Sequence, residues 1–325
     1  MRPIALIGGY ILAGLSLILL AIWIFIVVIY PRVGPPPSLD VDANPERLAR
    51  GRYLVEHVTQ CFACHGELQT DVPGAPVVPT SRGAAGVTWT APDGLALPAP
   101  NISPSAVGSW SDGELARTIF LGVDPKGEAL RPAMPYPHYG FMCLEDRLSV
   151  LAYLRSIPEV EGHTPRAPRS YLDSLFLRVI PREDPVPACD PELAGEDKGL
   201  YLTTIAGCST CHTPLRAGVP DLDRAFAGGT SFATRNGAVQ STNLTPDPGT
   251  GIGRWSREDF VARFAAHRSE PPALAGAETA PVVRAGPMPW SGYAGLRDED
   301  LAAIFTYLQT LPPIRNDAAP ASSAQ

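Results

Sequence analysis

Two short motifs bring together residue types that can hold an iron porphyrin: Cys61-Phe-Ala-Cys64-His65 and Cys208-Ser-Thr-Cys211-His212. Two thiols three positions apart on one helical turn can form thioethers with the two vinyl groups of a porphyrin. The histidine that follows then lies under the iron as its proximal ligand. The pattern predicts two covalently attached haem c groups, held by the four cysteines and ligated by the two histidines.

Two other kinds of site use paired cysteines, namely a thioredoxin-like dithiol and a structural zinc site. Neither requires a histidine directly after the second cysteine. Because both motifs end in histidine and both lie in a recurring sequence context, haem attachment is the favoured interpretation.

Length and composition agree with two haem-binding domains. The chain has 325 residues, with 36 Pro and 30 Gly, and this composition indicates many loops. We therefore expect haem to supply part of the core. The formal net charge is −7. An acidic protein of this kind is unsuited to nucleic acid, and a basic or mixed-charge redox protein is the expected partner.

The amino-terminal segment is an uncharged apolar run from Ile4 to Tyr30. At 1.5 Å per residue such a run is long enough to cross a bilayer. A cleaved signal peptide has a shorter apolar core and a small-residue cleavage site, so a retained transmembrane anchor over residues 1–30 is favoured. The proline-rich residues 31–45 that follow are predicted to form a semi-rigid stalk.

Comparison of the chain with itself reveals an internal repeat. The segment from Met134 to Pro158 aligns without gaps with the segment from Met288 to Pro312. Upstream, Asn101-Ile-Ser-Pro matches Asn243-Leu-Thr-Pro, and Gly51-Arg-Tyr-Leu matches Gly199-Leu-Tyr-Leu with a one-residue offset to the cysteine. The repeat predicts two duplicated domains, residues 46–158 and 197–312, joined by a linker over 159–196 and followed by a disordered tail over 313–325.

Each repeat has the order helix, haem motif, long loop, helix, Met-Pro, final helix. Ser111 and Ser256 are predicted N-caps, with Glu114 and Asp259 completing approximate capping boxes. This order resembles class I cytochromes c, in which the first and last helices cross and a loop methionine completes the iron coordination. The resemblance implies a mainly α fold: one amino-terminal transmembrane helix and two tandem class I cytochrome c domains with long loops.

By the same resemblance, Met134 and Met288 are the expected distal iron ligands, since a thioether in a rigid Met-Pro loop is a soft sixth ligand. The alternative is that each methionine fills space in the core, a role that we assign to Met142 because it aligns with Leu296. His138 lies near Met134 and could compete for the iron, but a loop histidine is favoured because its counterpart is Gly292.

The other histidines and cysteines are expected to have lesser roles. His57 is expected at a surface or helix end, and His163 and His267 in solvent. Cys143 and Cys189 lie outside the haem motifs and could form a disulfide or remain two buried thiols. An apolar stretch in the linker, residues 171–180, is predicted to pack between the two domains.

The Asn-Ile/Leu-Ser/Thr-Pro, Gly-x-Trp-Ser and Met-Pro-Tyr/Trp features together resemble the cytochrome c subunits of periplasmic alcohol, aldehyde and sugar-acid dehydrogenases. The resemblance implies a periplasmic electron carrier tethered to the bacterial cytoplasmic membrane, passing single electrons from a dehydrogenase or other donor to the respiratory chain. No catalytic residue is predicted. A dihaem enzyme of the peroxidase or thiosulfate-oxidising type, and a fixed haem subunit of a respiratory oxidase, are the alternatives.

Overall fold

The computed structural model describes residues 2–69, 75–90, 95–162, 167–183, 186–190, 193–234, 237–268 and 288–317. The described residues are mainly helical, as predicted. The helices are α1 (Arg2–Ile29), α2 (Pro45–Tyr53), α3 (Cys61–Cys64), α4 (Pro104–Val107), α5 (Asp112–Leu121), α6 (Tyr136–Tyr139), α7 (Leu144–Ser156), α8 (Tyr171–Leu177), α9 (Gly195–Ile205), α10 (Cys208–His212), α11 (Arg257–Ala265), α12 (Trp290–Tyr293) and α13 (Asp298–Thr310).

Short β-strands cross-link the loops as three antiparallel pairs. The strands are β1 (Thr88–Thr90) with β2 (Ala96–Pro98), β3 (Leu215–Arg216) with β4 (Val219–Pro220), and β5 (Ser231–Thr234) with β6 (Gly237–Gln240). In register, Thr88 lies opposite Pro98, Leu215 opposite Pro220 and Ser231 opposite Gln240.

The chain divides into two compact units that do not follow the repeat boundaries. We call the first the anchor unit; it comprises Met1–Asp40, Trp110–Pro137 and Pro168–Pro185. We call the second the motif unit; it comprises Val41–Ser109, His138–Ala167 and Val186–Gln325, and so contains both Cys-x-x-Cys-His motifs. The boundaries predicted for the two repeats, the stalk, the linker and the tail stay predictions, and residues 318–325 of the tail lie outside the described residues.

Two crossed helix pairs form the core of the motif unit. Helix α2 packs against α7, and α9 packs against α13. The helices cross at glycine: a Cβ on Gly51 would lie 1.9 Å from the carbonyl oxygen of Ser149, and one on Gly199 would lie 2.1 Å from that of Ala303. Real Cβ atoms do not come so close to a carbonyl, so the matching glycines of the repeat are fixed by this helix contact.

A π-helical turn explains the one-residue offset between the repeats. The first repeat has one more residue between its glycine and its first motif cysteine than the second repeat has. In the structure α2 continues into a π-helix, Leu54–Val58, whereas α9 is α-helical throughout. A π-helical turn accommodates one extra residue without ending the helix. Leu54, Val55 and Val58 are buried, so this turn belongs to the core.

Both predicted capping boxes are present. The Ser111 hydroxyl accepts from the Glu114 backbone N–H at the start of α5, and the Glu114 carboxylate accepts from the Ser111 backbone N–H. Ser256 and Asp259 make the same pair at the start of α11. Each box satisfies backbone donors that the first helical turn would leave without partners.

The anchor unit contains the long apolar helix and the linker stretch. Within α1, Ile7–Ile29 is long and apolar enough to cross a membrane, and its most apolar 18-residue window has a mean hydropathy of 3.0. The linker stretch forms α8 and the turn after it. Its predicted packing between the two repeats is wrong, because Tyr171, Leu172 and Phe176 are all more than 60% exposed and Leu177 alone of α8 is buried.

Candidate haem sites

The two motif histidines are held in the orientation that an iron ligand requires. The Nδ1 atom of His65 lies 2.7 Å from the carbonyl oxygen of Pro100, and Nδ1 of His212 lies 2.8 Å from that of Thr242. Burial lowers the pKa of both rings, so both are neutral at pH 7. Because a carbonyl only accepts, Nδ1 carries the proton and Nε2 keeps its lone pair for a metal.

The asparagines of the repeated Asn-x-Ser/Thr-Pro motif hold these carbonyls in place. The Asn101 Oδ1 accepts from the backbone and hydroxyl of Ser103, while its Nδ2 donates to Val160 beyond α7 at 2.7 Å. Asn243 does the same with Thr245 and, at 2.7 Å, with Ile314 beyond α13. Each asparagine therefore ties the loop that orients its histidine to the end of the final helix. Sequence reasoning found the asparagines but not the two carbonyl acceptors.

The four motif cysteines are chemically available for thioether formation. Cys61, Cys64, Cys208 and Cys211 form no disulfide. Burial raises the pKa of Cys61 to about 11 and that of Cys208 to about 12, so these side chains are neutral thiols at pH 7. Within the described ranges, no group of three or more His, Cys, Asp or Glu side chains could hold a metal ion.

The backbone makes the same sharp turn before each motif. Gln60, directly before Cys61, has a φ of 49°, and Gly207, directly before Cys208, has a φ of 67°. A left-handed conformation costs little at glycine, whereas at glutamine it is uncommon and is maintained by the surrounding structure.

An aromatic residue anchors each Met-Pro segment. Tyr136 is buried, and a Cβ on Gly122 would lie 2.5 Å from its ring. In the second repeat the matching Trp290 stacks on His267 with ring centroids 4.5 Å apart and lies against Phe264. The expectation that His267 is solvated is wrong, since both of its ring nitrogens are buried.

The expected distal ligands lie two residues before these aromatic residues. Met134 and Met288 are both half-buried. Each carbonyl accepts a hydrogen bond from the backbone N–H of the following aromatic residue, at 2.8 Å for Tyr136 and 2.9 Å for Trp290. The structure therefore fixes the local backbone of each methionine, and the ligand role stays a prediction. Met142, assigned to the core, is 1% exposed.

Reciprocal hydrogen bonds join the two repeats within the motif unit. Asp146 is held by a bidentate contact with Arg50 at 2.7 Å and by the hydroxyl of Tyr201 at 2.6 Å. In the second repeat the matching Asp300 is held by Lys198 at 2.5 Å and by the hydroxyl of Tyr53. Each aspartate thus takes its cation from its own repeat and its tyrosine from the other. Burial and the neighbouring carboxylate raise the pKa of both tyrosines.

A second reciprocal contact pairs a large residue with a glycine. A Cβ on Gly292 would lie 2.1 Å from Oε1 of Gln60, so any larger residue at 292 would have to displace the Gln60 side chain. At the matching contact the ring of His138 lies over Gly207, and His138 Nε2 is 2.8 Å from the Thr210 hydroxyl. His138, predicted as a loop histidine, lies in the short helix α6 and contacts the other repeat's motif through Thr210.

The remaining predicted residues have structural roles. His57 lies at a helix end, as predicted, since the π-helix ends at Val58; its Nδ1 lies 3.0 Å from the carbonyl oxygen of Gly292, so His57 also joins the repeats. Cys143 and Cys189 form a disulfide with a Cα–Cα distance of 5.0 Å, which selects one of the two alternatives left open. His163 lies outside the described residues.

Known proteins similar to this chain are cytochrome c subunits of dehydrogenases. The cytochrome c subunit of alcohol dehydrogenase (quinone) from Gluconacetobacter polyoxogenes is 28% identical over 291 residues, covering 84% of this chain and 58% of that protein. The gluconate 2-dehydrogenase cytochrome c subunit of Pantoea cypripedii is 27% identical, covering 84% of this chain and 61% of that protein. A diheme cytochrome c-type protein of Cereibacter sphaeroides is 32% identical over 136 residues, covering 39% and 41%.

No protein-family model matches the sequence. The chain spans less than two thirds of the length of the alcohol and gluconate dehydrogenase subunits. These relatives confirm the predicted resemblance: the chain is similar to the cytochrome c subunits of quinone alcohol and gluconate dehydrogenases.

Proposed function

We propose that the chain is a membrane-anchored dihaem c-type cytochrome that passes single electrons from a periplasmic dehydrogenase toward the respiratory chain. One observation carries the proposal. Two sites of matching construction, each with a neutral histidine whose Nδ1 is held by a backbone carbonyl, lie in one compact unit. This is the arrangement that a proximal haem ligand requires.

The residues at each motif fit haem c. When bound, haem c supplies one-electron chemistry at an iron that alternates between ferric and ferrous states. The cysteines would hold the porphyrin covalently, and Nε2 of His65 or His212 would ligate the iron. Met134 and Met288 would take the sixth position and so leave no coordination site for a substrate. The chain would therefore carry electrons and perform no substrate chemistry, consistent with the cytochrome c subunits to which it is similar.

The exchanged tyrosines support transfer between the two haems. Outer-sphere transfer needs the two redox centres to keep a short and constant separation. Tyr53 and Tyr201 each bind a buried aspartate of the opposite repeat, with side-chain exposures of 2% for Asp300 and 7% for Asp146. Because an unsatisfied buried carboxylate is costly, these bonds hold the repeats, and the haem motifs in them, in one fixed relation.

We assign α1 as the membrane anchor. Its candidate span is 23 residues long, the most apolar 18-residue window of that span has a mean hydropathy of 3.0, and none of that window is buried in the protein. Everything beyond Tyr30 would lie in the bacterial periplasm, where haem c is attached and where the Cys143–Cys189 disulfide would persist.

The proposed partner is a dehydrogenase, since the similar proteins are named as subunits of alcohol and gluconate dehydrogenases. Co-purification from membranes in mild detergent would identify it. A dehydrogenase that co-purifies with the wild-type chain would support this assignment, and recovery of a terminal oxidase instead would contradict it.

The decisive test is the ferric EPR and optical spectrum of the full haem-loaded chain in detergent, before and after cyanide. Two low-spin haems are expected. Met134→Ala and Met288→Ala should each convert one haem to a high-spin, cyanide-accessible form. The matched control is Met142→Leu, which replaces a core methionine by the residue found at the matching position of the other repeat, and both haems should stay low-spin.

Two outcomes would contradict the proposal. A native high-spin haem would indicate an open coordination site and hence an enzyme. Variants at Met134 or Met288 that leave both haems low-spin would show that another residue is the sixth ligand.

A further inference from the structure

An exposed apolar surface lies on the anchor unit, beside the carboxyl end of α1. We call this surface the α8 patch; it consists of Leu172, Phe176, Val179 and Ile180, together with Tyr171 at the start of the helix. Their exposures are 62%, 66%, 43%, 40% and 63%. An apolar cluster of this kind on a protein surface marks a contact with a partner or a membrane.

The α8 patch combines one side of α8 with the turn that follows the helix. Leu172 and Phe176 are four residues apart and so lie on the same side of α8. Val179 and Ile180 lie in the turn after Leu177, the buried last residue of the helix. The Ser170–Asp173 capping box and the Asp173–Arg131 ion pair at 3.1 Å hold the start of the helix in place within the anchor unit. The patch is therefore presented outward by a well-anchored helix and the turn after it.

Hydrogen bonds attach the α8 patch to the last turns of α1. The Arg178 guanidinium donates to the carbonyl oxygens of Val27 and Tyr30, at 3.2 and 2.5 Å. The Trp23 indole N–H donates to the hydroxyl of Tyr171. Further on, Glu183 N–H donates to the Arg32 carbonyl at 2.9 Å. The segment from Tyr171 to Glu183 thus runs beside the end of α1 and the residues that follow it.

The depth of these contacts indicates what covers the patch. Trp23 precedes Ile29, the last residue of α1, by six residues. At 1.5 Å per residue it lies about 9 Å below the end of the helix. Amphipathic helices at a membrane surface bury their apolar side about 5–10 Å deep, and Trp and Tyr concentrate at that level. A side chain bonded to Trp23 therefore lies at the depth of the headgroup and acyl-chain boundary.

From these contacts we propose that the α8 patch is a second membrane contact, an in-plane helix seated in the outer leaflet of the phospholipid bilayer beside α1. The inference rests on the proposed role of α1 as a membrane anchor. The chain then meets the membrane twice, once before the first haem motif and once between the two motifs. Each haem-binding repeat would be joined at its amino-terminal side to a segment held at the lipid surface.

The proposal is tested by spin-label depth measurement on the full haem-loaded chain in nanodiscs of phosphatidylcholine and phosphatidylglycerol. Three labelled variants are compared: Phe176→Cys in the α8 patch, Leu17→Cys in α1, and Leu222→Cys. Leu17 and Leu222 are 67% and 79% exposed. Leu222 is the matched control, an exposed leucine of the motif unit. Labels at Phe176 and Leu17 should lose collisions with a water-soluble nickel complex and gain collisions with oxygen, and the label at Leu222 should not.

Each outcome decides a separate point. If the Leu17 label lies in lipid but the Phe176 label is as accessible to nickel as the Leu222 label, the second membrane contact is overturned and the anchor stands. A Leu17 label outside lipid would overturn the anchor itself. Spin–spin broadening at Phe176 that grows with the number of chains per disc would assign the patch to contact between copies and overturn the proposal.

Discussion

The exchange of tyrosines between the repeats makes a prediction that links one half of the molecule to the other. Tyr53→Phe removes a hydroxyl that donates to Asp300 and accepts from the Arg297 backbone N–H at 3.3 Å. A hydrogen bond to a charged group contributes about 1.5–3 kcal/mol, and the ring itself stays buried. We therefore expect Tyr53→Phe to lower the free energy of unfolding by about 2 kcal/mol, roughly a 30-fold change in the unfolding equilibrium. Tyr201→Phe, which releases Asp146, should cost a similar amount.

The assay is urea unfolding of the full haem-loaded chain in detergent, followed by far-UV circular dichroism, with Tyr307→Phe as the control. Tyr307 lies against Phe226, and its hydroxyl has no hydrogen-bond partner among the described residues. Its loss should change the free energy of unfolding by less than about 0.5 kcal/mol.

Hydrogen exchange then tests the direction of the coupling. Tyr53→Phe should reduce the protection of amides in the first turn of α13, in the second repeat, and Tyr201→Phe should do so for the first turn of α7. The reasoning is refuted if each tyrosine variant affects the exchange of its own repeat alone, or if Tyr53→Phe costs no more than Tyr307→Phe.

Two further predictions concern the disulfide and a capping carboxylate. Cys143 and Cys189 close a loop across a sequence separation of 46, for which the chain-entropy relation gives about 4 kcal/mol; Cys189→Ser should lower the urea midpoint accordingly, and an unchanged midpoint would contradict a role in stability. The backbone N–H and hydroxyl of Ser256 hold the pKa of Asp259 below its usual value. The ionised Asp259 carboxylate therefore stabilises the folded chain above the pKa of a free aspartate, and this contribution is lost as the pH falls through the lowered pKa. Asp259→Asn should therefore be less stable than wild type above about pH 5 and lose this difference toward pH 3; a difference independent of pH would contradict the assignment.

The internal repeat predicted more of the site than any single motif. Because a duplication preserves residues that serve the same contact, the alignment of the two halves identified the crossing glycines, the capping boxes, and Asn101 with Asn243. It did not identify the carbonyl acceptors at Pro100 and Thr242, since every residue has a carbonyl and its direction depends on the backbone. Nor could it show that Tyr53 and Tyr201 bind the opposite repeat, because a matched pair of tyrosines has the same sequence pattern whichever aspartate each one binds.

The contacts of the linker segment and of the unmatched histidines could not be predicted from the sequence pattern. The apolar stretch over residues 171–180 is evident in the sequence, but apolar composition alone does not reveal what covers such a segment. His57 and His138 have no matching histidine in the other repeat, and their contacts with Gly292 and Thr210 arise only when the two repeats are assembled.

The pairing of Gln60 with Gly292, and of His138 with Gly207, has a consequence for how two copies of the fold can associate. If two first repeats associated in the same way, Gln60 would meet His138, whereas the structure places a glycine opposite each of these side chains. If two second repeats did so, Gly207 would meet Gly292 and leave a gap. Self-association of either repeat is thus disfavoured on steric grounds, whereas the unlike pair fits at both contacts. The two repeats therefore differ at this contact, which gives the molecule a fixed direction from one Cys-x-x-Cys-His motif to the other.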